Sequence, residues 1–209
     1  MSKGIAYGDM KYWDDRYAKE TTIEAKGAFE WYQRFDDFQE IFSAELGTTG
    51  SILHIGCGNS HVGLDAALAH PAQRHVGLDF SSVVIETMRE RTAEHPARDR
   101  LEFCVGDVTK LQFDDASFDG AFDKGTLDAI LCGSDSFSNA EKMATEIHRV
   151  LKPGAKLLVM TYGDPSSRQW HLEKAPWTKI TSMIVSKPPP PEEVGNKDRI
   201  THYLYVCEK

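Results

Sequence analysis

Three short stretches hold residues whose types and spacing suit the binding of one ligand. Gly56-Cys57-Gly58-Asn59-Ser60 directly follows the apolar run SILHI at 51–55. Glycines at the end of such a run let the backbone turn sharply and let a ligand approach the main chain closely. Asp79 ends a second run, RHVGLD at 74–79, roughly 20 residues beyond Gly58, the interval at which an acid meets ribose hydroxyls in nucleotide-binding βα folds. An alternative for Asp79 is a local cap on a helix beginning near Ser81 and Ser82. Gly106-Asp107-Val108 follows a third run, LEFCV at 101–105. There an acid with a backbone N–H beside it suits an exocyclic amino group, as on adenine. Glycines and two acids in this order point to an adenosine-bearing ligand.

The elements that must position these residues follow from the hydrophobic pattern. SILHI, RHVGLD, LEFCV, FDGAFD at 118–123 and AKLLVMT at 155–161 read as strands, and 60–70, 82–94 and 138–151 as helices. Ser138 and Glu141 form an expected capping box for the last helix, and Pro153-Gly154 its stop. Phe38, Ile41, Phe42 and Leu46 recur at helical spacing, with Gly47 as breaker. Alternation of strands and helices predicts a doubly wound, mostly parallel α/β sheet. KITSMIVSK (179–187) and THYLYVCEK (201–209) are two strand-like runs joined by the proline-rich connector at 188–198, without helical period. They predict a C-terminal antiparallel hairpin.

These features separate two classes of adenosine binder. A dinucleotide fingerprint wants a third small residue at the sixth position, where this chain has His61. The antiparallel C-terminal hairpin and the acid after the third strand fit a class I methyltransferase instead. No G-x-x-x-x-G-K-[ST] is present. The expected fold is therefore the Rossmann-like three-layer sandwich of class I methyltransferases, with a seven-stranded sheet and S-adenosyl-L-methionine as cofactor (S-adenosyl-L-homocysteine as product).

LHIGCGNS at 53–60, LDFSSVVIETM at 78–88 and FDKGTLDAI at 122–130 resemble one eukaryotic group of seven-strand methyltransferases, which includes the protein-lysine methyltransferases acting on elongation factor 1-alpha and on citrate synthase. YWDDRY at 12–17 and HRVLKPGAKLLVMT at 148–161 match the same group, so the resemblance spans roughly residues 10–209. Asp123 stands where that group more often carries Glu. The resemblance implies that Trp13, Tyr17 and Trp31 close over the cofactor as part of an N-terminal aromatic, helical lid (1–46) on a single domain (1–209). Their alternative is simple packing of the N-terminal helix on the sheet. It further implies that Phe80 stacks on the adenine and that Lys124 meets the methionine carboxylate through its backbone or its ammonium, unless it is a solvated surface lysine. Gly56, Gly58, Asp79, Asp107 and Val108 complete the expected cofactor set. A lysine acceptor must be neutral to react, and Asp123, Tyr162 and His171 are the candidate proton acceptors, on position near strand ends alone.

Composition sets bounds on partners. A net charge of -8 disfavours a phosphate-tracking surface, so no nucleic acid is expected. Cys57, Cys104, Cys132 and Cys207 show no C-x-x-C spacing, and the eight histidines no H-E-x-x-H. Hence neither a metal site nor a disulfide framework is expected. MSKGIAYGDM lacks the apolar core of a signal peptide, and no run approaches a membrane span, so a cytoplasmic protein without membrane attachment is expected. The expected substrate is a lysine on a protein, elongation factor 1-alpha by resemblance. The alternatives are a small-molecule N-, S- or O-methyltransferase and an inactive cofactor-binding partner protein.

Overall fold

The structure, a computed structural model, describes residues 7–22, 30–186 and 201–209; the prolines at 188–191 lie outside these. Among the described residues, seven strands form one sheet: β1 (Thr49–Ile55), β2 (Ala72–Asp79), β3 (Leu101–Val105), β4 (Phe118–Lys124), β5 (Leu151–Thr161), β6 (Lys179–Ser186) and β7 (Thr201–Glu208). Their order is β3-β2-β1-β4-β5-β7-β6. β1 to β5 pair in parallel, and β7 runs antiparallel between β5 and β6. The expected mixed sheet and terminal hairpin are therefore present. The chain builds outward from β1 to β3 and then returns to lay β4 on the other side of β1. In open α/β sheets, ligands bind at such a reversal, beyond the carboxyl ends of the strands.

Strand alternation explains why the sheet is covered on both faces. Leu53 and Ile55 of β1, with Leu157 and Val159 of β5, enter one apolar cluster. Ile52, Leu158 and Met160 enter another on the opposite face. Helix α6 (Ser136–Val150) covers the first with Met143, Ile147 and Val150, and α2 (Gln39–Leu46) covers the second with Phe42 and Leu46. A third cluster joins Trp13 and Tyr17 of α1 (Met10–Thr22) to Leu64 of α3 (Val62–Ala69) and to Val84, Ile85 and Met88 of α4 (Ser82–Thr92).

Three details depart from expectation. The capping box of Ser138 and Glu141 does not form, because α6 begins at Ser136 behind Asp135, a left-handed residue with no side-chain cap bond. Phe137 in that added turn stacks on His171 and lies tilted against Trp170. Pro153-Gly154 is not the helix stop. α6 ends at Val150, and the pair lies inside β5, where register jumps between the Phe118–Leu151 and Gly120–Lys156 pairs. α1 forms the N-terminal helix, and the helices α5 (Thr126–Leu131) and α7 (Pro165–Leu172) are additional to those marked in the sequence.

The C-terminal turn of α6 is closed from afar. Lys209 Nζ donates to the carbonyls of His148 (2.6 Å), Arg149 (3.3 Å) and Leu151 (2.6 Å), placing a cation at the negative end of the helix. Replacing Lys209 with Met should cost about 1 kcal/mol and lower Tm by about 2–4 °C. Thermal unfolding checks this, and an unchanged midpoint would contradict the capping role.

Candidate active site

A cavity of about 770 Å³ opens at the carboxyl ends of the strands, across the β1/β4 reversal. Its floor is the loop between β1 and α3, where Gly56 (φ 54°) and Gly58 (φ 51°) both adopt left-handed conformations. A Cβ on Gly56 would lie 2.1 Å from Thr126 Oγ1, which donates to the carbonyl of Ile55 (2.9 Å). On Gly58 it would lie 2.8 Å from the Tyr17 hydroxyl. Only glycine meets both the dihedral and the spatial demand at these positions.

Asp79 stands beside this loop at the end of β2. Its two oxygens accept from the N–H groups of Gly58 and Ser81, each at 3.0 Å. Ser81 itself caps α4, accepting from the N–H of Val84, and donates through its hydroxyl to Asp14. Asp79 thus braces the loop and the helix start while lining the cavity. Burial pushes its carboxyl up to about 6, against the opposing pull of the Ser81 and Gly58 amides. Phe80 is half-exposed on the cavity wall. After β3, Asp107 accepts from the N–H and hydroxyl of Thr109, both at 2.8 Å, and Val108 is buried next to it.

Trp13, Tyr17 and Trp31 also line the cavity. Trp13 and Tyr17 stack with centroids 5.7 Å apart, and Trp31 meets Trp13 edge-on at 6.2 Å. The Arg16 guanidinium lies 5.7 Å from the Trp13 ring and 5.2 Å from the Trp31 ring. These rings pack an N-terminal helix and face the cavity at once.

Lys124 lines the cavity too, but its ammonium is engaged by protein: it pairs with Glu30 (2.7 Å) and donates to the Trp31 carbonyl (2.9 Å). A solvated surface lysine is excluded by this burial, which also draws its pKa downward, with Glu30 opposing. Glu30, which the sequence did not single out, also accepts from the Ser60 hydroxyl and the His61 N–H. It thereby bridges the glycine loop to the end of β4.

Two of the three proton-acceptor candidates lie away from the cavity. Asp123 is fully buried and accepts from the N–H groups of Thr126 (2.9 Å) and Leu127 (3.1 Å), closing the start of α5. His171 is buried in α7, stacked on Trp170 at 3.7 Å and on Phe137 at 5.6 Å. Only Tyr162 reaches the wall. Beside it lies an acid that positional reasoning passed over, Asp128, which lines the cavity and binds Tyr32, Thr161 and Arg168. A carboxylate inside the apolar turn TLDAI was the available signal, since a buried acid demands partners. Among the described residues, no group of three His, Cys, Asp or Glu is placed to hold a metal ion.

A seven-stranded sheet with this terminal hairpin, and a glycine-floored cavity at the reversal, define a class I methyltransferase. Residues 48–203 match the family described as a methyltransferase domain, and the chain belongs to that family. It is an S-adenosylmethionine-dependent methyltransferase. It is 32% identical over 177 residues to "EEF1A lysine methyltransferase 4" of Mus musculus, covering 81% of this chain and 67% of that relative. It is also 32% identical over 208 residues to "eEF1A lysine and N-terminal methyltransferase" of Mus musculus, covering 97% of this chain but 29% of the relative. Among solved structures, a SAM-dependent methyltransferase from Methanosarcina mazei shares the fold with a TM-score of 0.63 at 21% identity, covering 81% of this chain and 96% of that one. Haemonchus contortus phosphoethanolamine N-methyltransferase 2 does so with a TM-score of 0.64 at 17% identity, covering 95% and 57%.

Burial raises the Asp123 carboxyl to about 7. The folded chain then holds a proton that the unfolded chain releases near pH 4. The stability this contributes is full below about pH 4 and is lost as pH rises through about 7. Urea titrations of Asp123→Asn should therefore show the variant gaining on the wild type between pH 4 and 7.5. A stability difference independent of pH would contradict this environment for Asp123.

Proposed function

We propose that the chain transfers methyl groups to a lysine side chain of a protein, with elongation factor 1-alpha as the acceptor. Two relatives that align over most of this chain carry that factor in their names. The observation that carries the site assignment is the pairing of Asp79 with the left-handed Gly56–Gly58 loop at the head of the cavity.

The residues present fit the cofactor. Its adenosine end would lie over β1, β2 and β3, where Asp79 would accept from the ribose hydroxyls, Phe80 and Val108 would hold the adenine, and Asp107 would meet its amino group. Gly56 and Gly58 leave room for close approach to the main chain. When bound, S-adenosylmethionine supplies a methyl on a sulfonium; the acceptor nitrogen forms the new N–C bond while the C–S electron pair stays on sulfur, giving S-adenosylhomocysteine and an N-methylammonium. Trp13, Tyr17 and Trp31 exclude water from this end, and their faces favour a cation by about 0.5–2 kcal/mol each. α1 and the segment around Trp31 act as the lid that carries these rings, whereas α2 belongs to the core under the sheet.

The chain's remaining task is to align a neutral amine. A lysine with an ordinary pKa of about 10.4 reacts only after losing its proton. An apolar, aromatic entrance lowers that value by desolvation. The leaving group is already activated, so alignment and water exclusion supply most of the rate.

Labelled methyl transfer into a cell extract, with proteins separated by size, tests this reading. The wild type should label a band at the mass of elongation factor 1-alpha. Asp79→Ala should lose cofactor affinity by about 10- to 100-fold, the effect of hydrogen bonds to a charged group, and lose the band with it. Label confined to the small-molecule fraction would replace the protein acceptor with a small one. Unchanged cofactor affinity in Asp79→Ala would remove the ribose assignment.

A further inference from the structure

The end of the cavity opposite Asp79 is built over β4, β5 and β7 and is lined by Tyr32, Gly125, Asp128, Tyr162 and His202. At its centre Asp128 is buried. Its Oδ1 accepts from Thr161 Oγ1 (2.6 Å) and Arg168 Nε (2.8 Å), and its Oδ2 from Tyr32 Oη (2.7 Å) and the Tyr162 N–H (3.4 Å). Four donors match the accepting capacity of a carboxylate. Arg168 balances the charge. Asp128 is thus saturated and has no lone pair left for an incoming amine.

Tyr32 differs. Its backbone is left-handed at φ 62°, a conformation that costs a non-glycine residue energy and persists only where the surroundings enforce it. Its ring is wedged between Gly125, where an added Cβ would lie 3.3 Å away, and His202, with centroids 4.7 Å apart. The hydroxyl spends its proton on Asp128. Among the described residues, no hydrogen bond to that oxygen as acceptor is found, and a phenol that donates to a carboxylate becomes a stronger acceptor.

We propose that Tyr32 Oη receives an N–H of the acceptor amine at the cavity mouth, with Asp128 as the positioning residue that holds the phenol in place. This rests on the amine-acceptor reading above. One N–H fixed on Tyr32 restricts where the nitrogen lone pair points, which is the alignment the transfer requires. The methylammonium product leaves as the cation; the one proton released in the turnover is the one the lysine ammonium gives to solvent before the transfer.

Tyr32→Phe isolates the hydroxyl, because Asp128 keeps three donors and the ring keeps its place. Two measurements are made on wild type and variant: methyl transfer to purified elongation factor 1-alpha, and calorimetric titration of n-butylamine at alkaline pH into protein saturated with S-adenosylhomocysteine. The expected result is a fall in kcat of about 10- to 100-fold, with the KM for cofactor within about twofold, Tm nearly unchanged and n-butylamine binding lost. Asp128→Asn should reproduce the kcat loss with the same unchanged cofactor KM. Wild-type kcat and n-butylamine affinity in Tyr32→Phe would overturn the proposal. So would a parallel loss of cofactor affinity and Tm, which marks a structural role only. A wild type that transfers nothing to elongation factor 1-alpha removes that protein as the acceptor instead, and the n-butylamine titration then decides the role of Tyr32 by itself.

Discussion

The Asp79 carboxylate organises the site because it accepts simultaneously from Gly58 and Ser81, across the gap between β1 and β2. Left-handed glycines lose much conformational entropy on folding, so a loop built from them needs an external brace. Asp79 supplies it, and the same bonds keep the carboxylate in hydrogen-bonding surroundings despite its burial. Its raised affinity for a proton shows that two amides compensate only part of the desolvation. A ligand bringing two hydroxyl donors would supply the compensation that is missing. Structural support and readiness for a ribose are thus one arrangement.

Glu30 is the counterpart at the other side of the loop. It ties Ser60 and His61 to Lys124, so the loop is braced from β2 by one acid and from the N-terminal segment by another. The N-terminal segment consequently does more than pack on the sheet. Trp31 gives its carbonyl to Lys124, Tyr32 reaches Asp128, and Gln33 bonds His202. Residues 30–33 thereby connect the glycine loop, β4, α5 and β7 around one cavity. The division follows from topology: β1 to β3 place acids and glycines at one end of the cavity, while the other end, over β4, β5 and β7, has aromatic walls and the Asp128 carboxylate paired with Arg168.

Local features were legible in the sequence. Gly56, Gly58 and Asp79 declare themselves because backbone geometry and strand ends restrict which residues fit, and the five parallel strands followed from hydrophobic runs. Features made by distant partners were not legible. Lys124 looked able to hold a ligand carboxylate, but its ammonium is on Glu30, 94 residues away. Asp123 and Asp128 are five residues apart, yet position near a strand end does not reveal that the first turns back onto the amides of Thr126 and Leu127 while the second faces the cavity. Tyr32 owes its role to a strained backbone that no local pattern announces. The start of α7 is a local feature of the same kind: Asp164 and Pro165 form a helix start, with the Asp164 side chain accepting from Ser167.

The most direct test of the central claim is a crystal structure of the protein with S-adenosylhomocysteine bound. The account predicts ribose oxygens within hydrogen-bonding distance of the Asp79 carboxylate, about 2.5–3.0 Å, and the sulfur turned toward the Lys124–Asp128 end of the same cavity. A nucleoside seated elsewhere, or one in this cavity that leaves Asp79 bonded only to Gly58 and Ser81, would contradict it.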